Sequence, residues 1–467
     1  MAAPGGGGRG VPVNSRAPFL PGLAAVLLLG SFAAAQQTAS LTLPQAVTIA
    51  LEKNPLRKAA LAETRASAAN VQIARSFLLP RLTFAETATR GNDPVYVFGS
   101  RLRQQRFTQT DFALNQLNTP VPFGNFATRF GGTWNLFDSF ASLRGVTRAK
   151  LMNEGASHQL DRTEQEIVFR VIQAYNEVLL AKKQMEVTQQ ALKTAQAIVD
   201  RSQARFDSGL AVESDLLTAR VRLASRREEL IRATNNRDLA LSELNAGMGV
   251  PLDSSFDLED SLSERSLPAP ELKDAEARAL AGRPDLKRIV SEEAAQRQGV
   301  SIAKSSFGPQ VNAFAGWELD NPAFLAGGGG NNWVGGIELK MDLFQGGARR
   351  AELARQRALE EKAAAMKQAA TDAIRMEVRR AYYDMDASRQ QVEVARASVA
   401  QAQDSLRINQ DRYETGLITI TDLLSAEEAA RRSQTDYWEA VSRFRTSYAG
   451  LELAAGTLNA QSPAVMP

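Results

Sequence analysis

The chain has 467 residues, of which 44% are hydrophobic and 23% are charged, with a formal net charge of +3. It contains no cysteine and a single histidine, His158, which we expect on a solvated helix face. These counts exclude disulfides, thiolate metal sites and a cysteine nucleophile, and they argue against histidine-based catalysis and zinc binding. We therefore expect no catalytic residue, no cofactor and no metal site.

The N-terminal segment has the pattern of a secretory signal peptide. Arg9 and Arg16 precede an apolar run over 23–29, and three alanines at 33–35 end just before Gln36. This pattern predicts cleavage after residue 35 and export from the cytoplasm. Cleavage removes two arginines and no acidic residue, so the net charge falls to +1 and gives no support for nucleic-acid binding.

Proline-containing breaks divide the helical segments that come next. Thr42 can cap a first helix, which Asn54-Pro55 ends. A second helix is predicted over about 56–77. The same layout returns in the second half, where Arg283-Pro284 precede a helix that is predicted to end near 306.

Two pairs of strand-like segments follow these helices, at about 81–90, 128–138, 310–318 and 333–344. In the last of them, Ile337, Leu339, Met341 and Leu343 alternate with Glu338, Lys340 and Asp342. Lengths of about ten residues suit strands that cross a membrane. Four strands cannot close a membrane barrel, since the smallest have about eight, so several chains would have to share one.

The connection between the first two strands is longer than its counterpart in the second half. This interval, 91–127, accounts for 22 extra residues, and we predict a short helix in it around Ser100 to Leu117. The sequence does not indicate what the extra length is for.

The longest predicted helices follow the strands, at about 139–206 and 346–412, with return helices to about 247 and 456. Apolar residues recur every seven positions along both: Val171, Val178, Met185, Leu192, Val199 and Phe206, then Val378, Met385, Val392, Val399, Leu406 and Tyr413. Mostly small residues lie three positions further on, which lets neighbouring helices approach closely. Each long helix and its return helix are therefore predicted to form an antiparallel coiled-coil hairpin.

A duplicated turn joins each long helix to its return helix. Its copies lie 207 residues apart: Arg205-Phe206-Asp207-Ser208-Gly209-Leu210 with Asp215, and Arg412-Tyr413-Glu414-Thr415-Gly416-Leu417 with Asp422. Gly209 and Gly416 are predicted to be left-handed caps that end the long helices. Asp422 also fits a capping box with Thr419.

A turn that is used twice at one spacing indicates a duplicated architecture. The predicted order is a signal peptide, 1–35; a first structural repeat, 36–248, with a β-hairpin over 80–138 and a helical hairpin over 139–248; a linker, 249–273; a second repeat, 274–457, with a β-hairpin over 309–344 and a helical hairpin over 346–456; and a C-terminal tail, 458–467.

This combination of signal peptide, Asn-Pro break, two β-hairpins, two long helical hairpins and a doubled Arg-aromatic-x-x-Gly-Leu turn resembles the TolC-type outer-membrane efflux proteins. The resemblance covers nearly all of the mature chain. It implies a mainly α fold with a β-barrel portion: a trimeric α/β-barrel with four membrane β-strands and two long coiled-coil hairpins per chain. It also implies an exit duct, embedded in outer-membrane lipid and extending far into the periplasm, for efflux or type I secretion.

In that family the helical tip closes the duct and docks onto a periplasmic adaptor, which links it to an inner-membrane pump. The resemblance therefore implies that the homotrimer contacts the adaptor through the residues of the two turns: Arg205, Gly209, Leu210, Arg412, Gly416 and Leu417. It implies that Asp422 rings the constriction and that Asp215 holds the tip closed by bonding to a neighbouring hairpin.

Two positions differ from the best-known family pattern, and both concern this gate. Ser425 stands where a second aspartate ring can occur, and Ile418 stands where an arginine can bridge to the carboxylate at Asp215. Tyr413 is retained, so the sequence still allows a hydrogen bond from this tyrosine to Asp215. The implied gate thus consists of Asp215, Tyr413, Asp422 and Ser425.

Two other classes of function compete with the duct. A periplasmic coiled-coil scaffold would place the strands in a soluble sheet, and the alternation over 337–343 argues against it. A secreted hydrolase is weaker still, because no Ser-His-Asp set and no paired-carboxylate site stands out. The exported substrate and the class of pump are not indicated by the sequence.

Overall fold

Proline, capping and glycine signals along the chain set the boundaries of its helices. The computed structural model describes residues 39–264, 267–268, 270–324 and 328–466, so the predicted signal peptide lies outside it. The helices are α1 Leu43–Lys53, α2 Pro55–Ser76, α3 Pro94–Arg103, α4 Leu114–Asn118, α5 Ala141–Asp207, α6 Glu213–Met248, α7 Leu272–Gly282, α8 Pro284–Ser305, α9 Ala348–Glu414 and α10 Ile420–Ala454. The strands are β1 Ala39–Leu41, β2 Arg81–Gly91, β3 Phe123–Phe137, β4 Phe256–Leu258, β5 Gln310–Asn321 and β6 Gly330–Lys340.

The predicted break between the first two helices is confirmed. Thr42 forms a capping box with Gln45 at the start of α1. Asn54 ends α1 and caps α2, where its side chain accepts a hydrogen bond from the backbone N–H of Leu56 at 2.8 Å. Arg283 occupies the equivalent break between α7 and α8. Extended backbone before a proline therefore separates the helices in both halves.

The two long helices, α5 and α9, have 67 residues each, which at 1.5 Å per residue is about 100 Å. Each packs along its return helix, α6 or α10, as the heptads predict. Eleven of the twelve heptad residues are buried or half-buried. The exception is Phe206, which is 38% exposed and lies in the last turn of α5.

Four strands form one antiparallel sheet in the order β2-β3-β5-β6. The prediction that the last strand reaches residue 344 is wrong, because β6 ends at Lys340. Its partner β5 begins at Gln310, opposite Lys340, and Pro309 before it has no backbone N–H to extend the ladder. Met341 and Leu343 therefore lie beyond the strand, although Ile337 to Lys340 keep the predicted alternation.

The extra length between β2 and β3 folds differently from the single helix predicted over Ser100–Leu117. It forms α3, a 3-10 turn over Gln109–Phe112, and α4. Asp93 caps α3 by accepting a hydrogen bond from the backbone N–H of Tyr96 at 2.8 Å. Gln105, with a φ of 54°, turns the chain out of the helix. β3 also begins at Phe123 rather than near 128, because β2 pairs with it along its full length.

The register of the sheet gives it two different faces, because residues paired across neighbouring strands point to the same side. We call one the apolar face, and it carries large exposed hydrophobic side chains: Leu82, Phe84, Phe130, Trp134, Trp317, Trp333 and Ile337. The other, the polar face, carries Thr83, Arg129, Glu318, Asn332 and Glu338, with Phe314 and Val334 as exposed apolar exceptions. Among the described residues no helix has the length and apolar character needed to cross a membrane.

Within the described residues, many of the buried hydrophobic side chains belong to two separate clusters. The main cluster joins α1, the middle of α5 and α9, and the C-terminal half of α10, and it includes Tyr175, Leu258 and Val465 from three different parts of the chain. Leu258 belongs to the predicted linker and Val465 to the predicted C-terminal tail, so both segments contribute to this core. The second cluster lies at the helical tip and contains Ala195, Ile198, Val199, Leu216, Ala219, Leu223, Tyr413, Ile420, Leu423 and Leu424.

Candidate gate at the helical tip

Both copies of the duplicated turn end their long helix with the same backbone pattern. Gly209 and Gly416 have φ values of 72° and 76°, which confirms the predicted left-handed caps. The backbone N–H of Leu210 donates to the carbonyl oxygen of Arg205 at 2.8 Å, and the equivalent bond at Leu417 is 2.9 Å. The two leucines are 70% and 75% exposed, so each turn presents an apolar side chain to its surroundings.

The arginines of the two turns differ in their contacts. Arg205 donates from Nη1 to the carbonyl oxygens of Tyr413 and Glu414, at 3.1 and 3.3 Å, and its guanidinium lies 5.2 Å from the centre of the Tyr413 ring. These contacts join the end of α5 to the end of α9. Arg412 is exposed, and no described residue forms a hydrogen bond or ion pair with its side chain.

Tyr413 and Asp215 do not meet within one chain. The Tyr413 side chain is 5% exposed, and its hydroxyl lies 3.4 Å from the Ser202 hydroxyl. Asp215 lies in the first turn of α6, where its backbone N–H donates to the Val212 carbonyl oxygen at 3.1 Å. Within the described part of the chain, no residue forms a hydrogen bond with its carboxylate. The tie that the resemblance implies for Asp215 would therefore have to come from another chain.

Asp422 forms the predicted capping box at the start of α10. Its backbone N–H donates to the Thr419 hydroxyl oxygen at 3.2 Å, and its carboxylate accepts from the Thr419 hydroxyl and backbone N–H at 2.7 and 3.1 Å. These bonds lower the pKa of Asp422 below its ordinary value and keep it ionised. Ser425 is exposed on the next turn and donates its hydroxyl proton to the Thr421 carbonyl oxygen at 2.8 Å.

A buried arginine between the two return helices is a feature that the sequence reasoning missed. Arg226 of α6 is fully buried, and its Nη2 donates to Glu427 and Glu428 of α10 at 2.8 and 2.6 Å. Its Nη1 donates to Glu229 at 2.8 Å. We call Arg226 with Glu427 and Glu428 the clasp, because these contacts tie α6 directly to α10.

The surroundings of the clasp keep the Glu428 carboxylate charged. Burial alone would raise the pKa of Glu428, but hydrogen bonds from Arg431 and Arg226 outweigh it and hold the pKa at about 2. Burial would lower the pKa of the Arg226 guanidinium, yet its bonds to the three glutamates raise it above the usual range. Arg222 adds a contact to Glu428 at 2.5 Å from the solvent side.

A sequence signal for the clasp was present. Leu216 and Leu223 lie seven residues apart on α6, and the seam three positions further on contains Ala219 and then Arg226. A charged residue at a seam position of a coiled coil is unfavourable unless another helix supplies a partner. The charge at Arg226 therefore indicates a specific contact, although α10 could not be named as its source without the fold.

The long helical hairpins and the four-stranded sheet together define the architecture of TolC-type outer-membrane channels. The chain superposes on the Campylobacter jejuni CmeC outer membrane channel with a TM-score of 0.77 and 17% identity, over 90% of this chain and 87% of that one. It superposes on the outer membrane protein VceC of Vibrio cholerae with a TM-score of 0.73 and 21% identity, over 89% and 96% of the two chains. The predicted fold class is confirmed.

The sequence model of the outer membrane efflux protein family matches residues 46–250 and 277–457, so the chain belongs to this family. Its relatives include the alkaline protease secretion protein AprF of Pseudomonas aeruginosa, 25% identical over 88% of this chain and 83% of that protein. Another is the outer membrane protein TolC of Escherichia coli, 24% identical over 95% of this chain and 87% of that protein. The family consists of outer-membrane channels rather than enzymes, and the chain is an exit duct of the outer membrane with a long periplasmic helical part.

Proposed function

We propose that the duct is a homotrimer whose twelve strands share one barrel and whose helical tip is a gate that docks onto a periplasmic adaptor. The observation that carries this proposal is a sheet with one apolar face and two free edges. Within the described residues, the outer edges of β2 and β6 have no strand partner. Unpaired backbone groups in lipid are unfavourable by several kcal/mol each, so neighbouring copies of the chain would supply the missing partners.

The apolar and polar faces fit this arrangement. Phe84, Phe130, Trp317 and Trp333 are paired across all four strands and form one row on the apolar face. Aromatic rows of this kind lie at membrane interfaces in outer-membrane barrels. The polar face would then line the water-filled lumen.

The gate would be held closed by two sets of contacts between the hairpins. At the end of the turn, Arg205 binds the backbone of Tyr413 and Glu414, and about two helical turns into α10 the clasp joins Arg226 to Glu427 and Glu428. Opening would require the hairpin of α5 and α6 to separate from the hairpin of α9 and α10 at these contacts. A docked adaptor could favour that state only by binding it more tightly than the closed state.

Asp422 and Ser425 would face the constriction from three chains. A ring of three ionised carboxylates attracts divalent cations, which then obstruct the pore. Asp422→Ala should therefore weaken the block of the channel current by divalent cations. Asp215→Ala is the comparison variant, because it removes the implied tie to a neighbouring chain and leaves the Asp422 ring in place. Equal block in wild type and Asp422→Ala would contradict the ring.

The exposed parts of the turns would contact the adaptor. Leu210 and Leu417 offer apolar side chains, while Gly209 and Gly416 keep the turns narrow enough for close approach. The adaptor would in turn connect the duct to an inner-membrane pump for efflux or type I secretion. The relatives include proteins named for either process: AprF is named a protease secretion protein, and BepC of Brucella suis is named an efflux protein.

Fractionation and mass together test this assembly. We expect the mature protein in the outer-membrane fraction and, after extraction in mild detergent, at three times the mass of one chain. A monomer in the periplasmic fraction would instead support the coiled-coil scaffold and contradict the duct.

A further inference from the structure

The segment between β2 and β3 lies on the polar face of the sheet rather than beyond its end. Gly330 of β6 pairs with Asp320 of β5, and Asp320 pairs with Ala127 of β3, so the three residues form one row across the sheet. A Cβ added to Gly330 would collide with the backbone carbonyl oxygen of Arg103. Because a Cβ at this position points outward from the polar face, the end of α3 must lie directly over that face.

Polar anchors hold the segment in this place. The Gln104 side chain is 1% exposed, and its Nε2 donates to Asn125 Oδ1 at 2.7 Å and to the carbonyl oxygens of Gly124 and Asn321 at 3.0 and 3.2 Å. These partners belong to β3 and β5. One step toward the helices, Arg103 contacts Glu318 at 3.3 Å, and Arg129 contacts the same carboxylate at 2.9 Å.

Burial along the polar face shows how far the cover extends. At the end remote from the helices, Asn125, Ala127 and Asp320 are between 0% and 6% exposed. Nearer the helices, Phe314 and Val334 on the same face are 43% and 61% exposed. The segment therefore covers only the outer end of the face.

The segment also has a small core of its own. Phe107 lies between Phe98 and Phe112, at ring distances of 4.7 and 5.1 Å. Arg101 forms an ion pair with Asp111, whose carboxylate accepts a hydrogen bond from the backbone N–H of Thr108 at 2.8 Å. These contacts make the segment a formed structural unit and not a loose connection.

We propose that residues 92–122 form a collar that narrows the outer mouth of the duct, at the end opposite the helical tip. This inference rests on the proposed trimer, in which the polar face lines the lumen. A barrel of eight strands is filled by side chains and one of sixteen holds an open channel, so twelve strands leave an opening of intermediate width. Three helices, each about 10 Å across, would occupy much of it. The collar limits the size of solutes that pass between the lumen and the exterior.

The absence of cysteine from the chain allows a direct test with single cysteines. Glu338→Cys places a thiol on the polar face near the helices, beneath the collar, and Ile337→Cys places one on the apolar face beside it. Intact cells are treated from outside with a small water-soluble maleimide and with the same maleimide on a polyethylene glycol of several kilodaltons.

We expect the bulky reagent to react with Glu338→Cys at least about tenfold more slowly than the small one, because it cannot pass the collar. Replacing 94–118 by a short glycine-serine turn should reduce that ratio to about twofold. Gln104→Ala with Arg103→Gln is a milder variant that releases the anchors if the replacement does not assemble. Ile337→Cys should react slowly with both reagents in every background.

Two results would overturn the collar. One is equal reactivity of Glu338→Cys toward both reagents in the parent protein, and the other is a ratio that neither collar variant changes. Rapid labelling of Ile337→Cys and Glu338→Cys alike would show that neither face is shielded by lipid, and it would reject the proposed barrel together with the collar that depends on it.

Discussion

Arg205 and Arg412 occupy equivalent positions in the two turns, yet among the described residues Arg205 alone of the two binds the other hairpin of the chain. The difference follows from what surrounds them: the end of α9 lies beside Arg205, whereas no described residue of the same chain pairs with Arg412. In the proposed gate, one arginine of the duplicated pair would hold the tip closed and the other would be available to a partner.

The matched pair Arg205→Gln and Arg412→Gln separates these two roles. Arg205→Gln removes charged hydrogen bonds at a half-buried site and should destabilise the closed tip by about 1 kcal/mol, which is about fivefold in exchange rate. Hydrogen exchange of the backbone amides over 205–216 measures this effect. Arg412→Gln should leave the exchange unchanged and weaken adaptor binding. Identical exchange in both variants would contradict the assignment.

The clasp is a buried charged contact between α6 and α10. Glu427 is 3% exposed, so removal of Arg226 takes away its closer arginine partner, at 2.8 Å, and leaves this buried carboxylate with the longer contact to Arg222 at 3.6 Å. Such a loss destabilises a protein by about 3–5 kcal/mol, whereas an exposed ion pair contributes less than about 1 kcal/mol. The clasp therefore fixes how the two return helices meet.

Arg226→Gln should lower the stability of the tip by about 3 kcal/mol, and Arg222→Gln, at the solvent side of the same carboxylates, by less than about 1 kcal/mol. The measurement is hydrogen exchange along α6 and α10. In a double-mutant cycle, Arg226→Gln with Glu427→Gln should cost less than the sum of the single changes, since the double variant leaves no buried charge at position 427. Additive effects would argue against the clasp.

The stability of the closed tip should also depend on pH within a defined range. The pKa of Glu428 is about 2 in the folded chain against an ordinary value of 4.5, so the folded state holds fewer protons on this group than the unfolded state. Its stabilisation is complete above pH 4.5 and is lost as the pH falls from 4.5 toward 2. Exchange rates at the tip should rise through this range in wild type, and less so in Arg226→Gln. A rise confined to higher pH would point to a different group.

Local sequence signals were enough to predict most element boundaries, but they were not enough to predict contacts between distant segments. The caps at Thr42, Gly209 and Thr419 were predictable because their hydrogen bonds involve residues within a few positions. The end of β6 at Lys340 depends on where β5 begins, 30 residues earlier. The buried partners of Arg226 lie about 200 residues away, so the sequence could mark the residue but not its contact.

In the whole chain, the separation of the two hydrophobic clusters bears on how the gate could work. The tip cluster around Tyr413 and Leu423 is distinct from the main cluster around Tyr175 and Val178. Rearrangement of the tip therefore need not disturb the main core, which joins the hairpins to the segments before and after them. The tip has the small local core that a moving element requires.

The collar and the gate would place a constriction at each end of one passage. The outer one is held by short polar contacts of Gln104 and Arg103 to the sheet, and the inner one by arginine contacts between hairpins. The collar accounts for extra sequence that has no counterpart in the second half of the chain. Duplication of the sequence thus explains the two helical hairpins. The extra residues between β2 and β3 have no duplicate, and they would form the collar at the outer mouth.

Single-channel conductance in a planar bilayer tests whether the protein is a passive duct that is closed at its helical tip. Purified wild-type protein should form channels of small conductance, and Arg226→Gln should conduct several-fold more because the return helices are no longer tied. Arg222→Gln should stay close to wild type. Failure of the wild-type protein to form channels, or equal conductance in wild type and Arg226→Gln, would contradict the account.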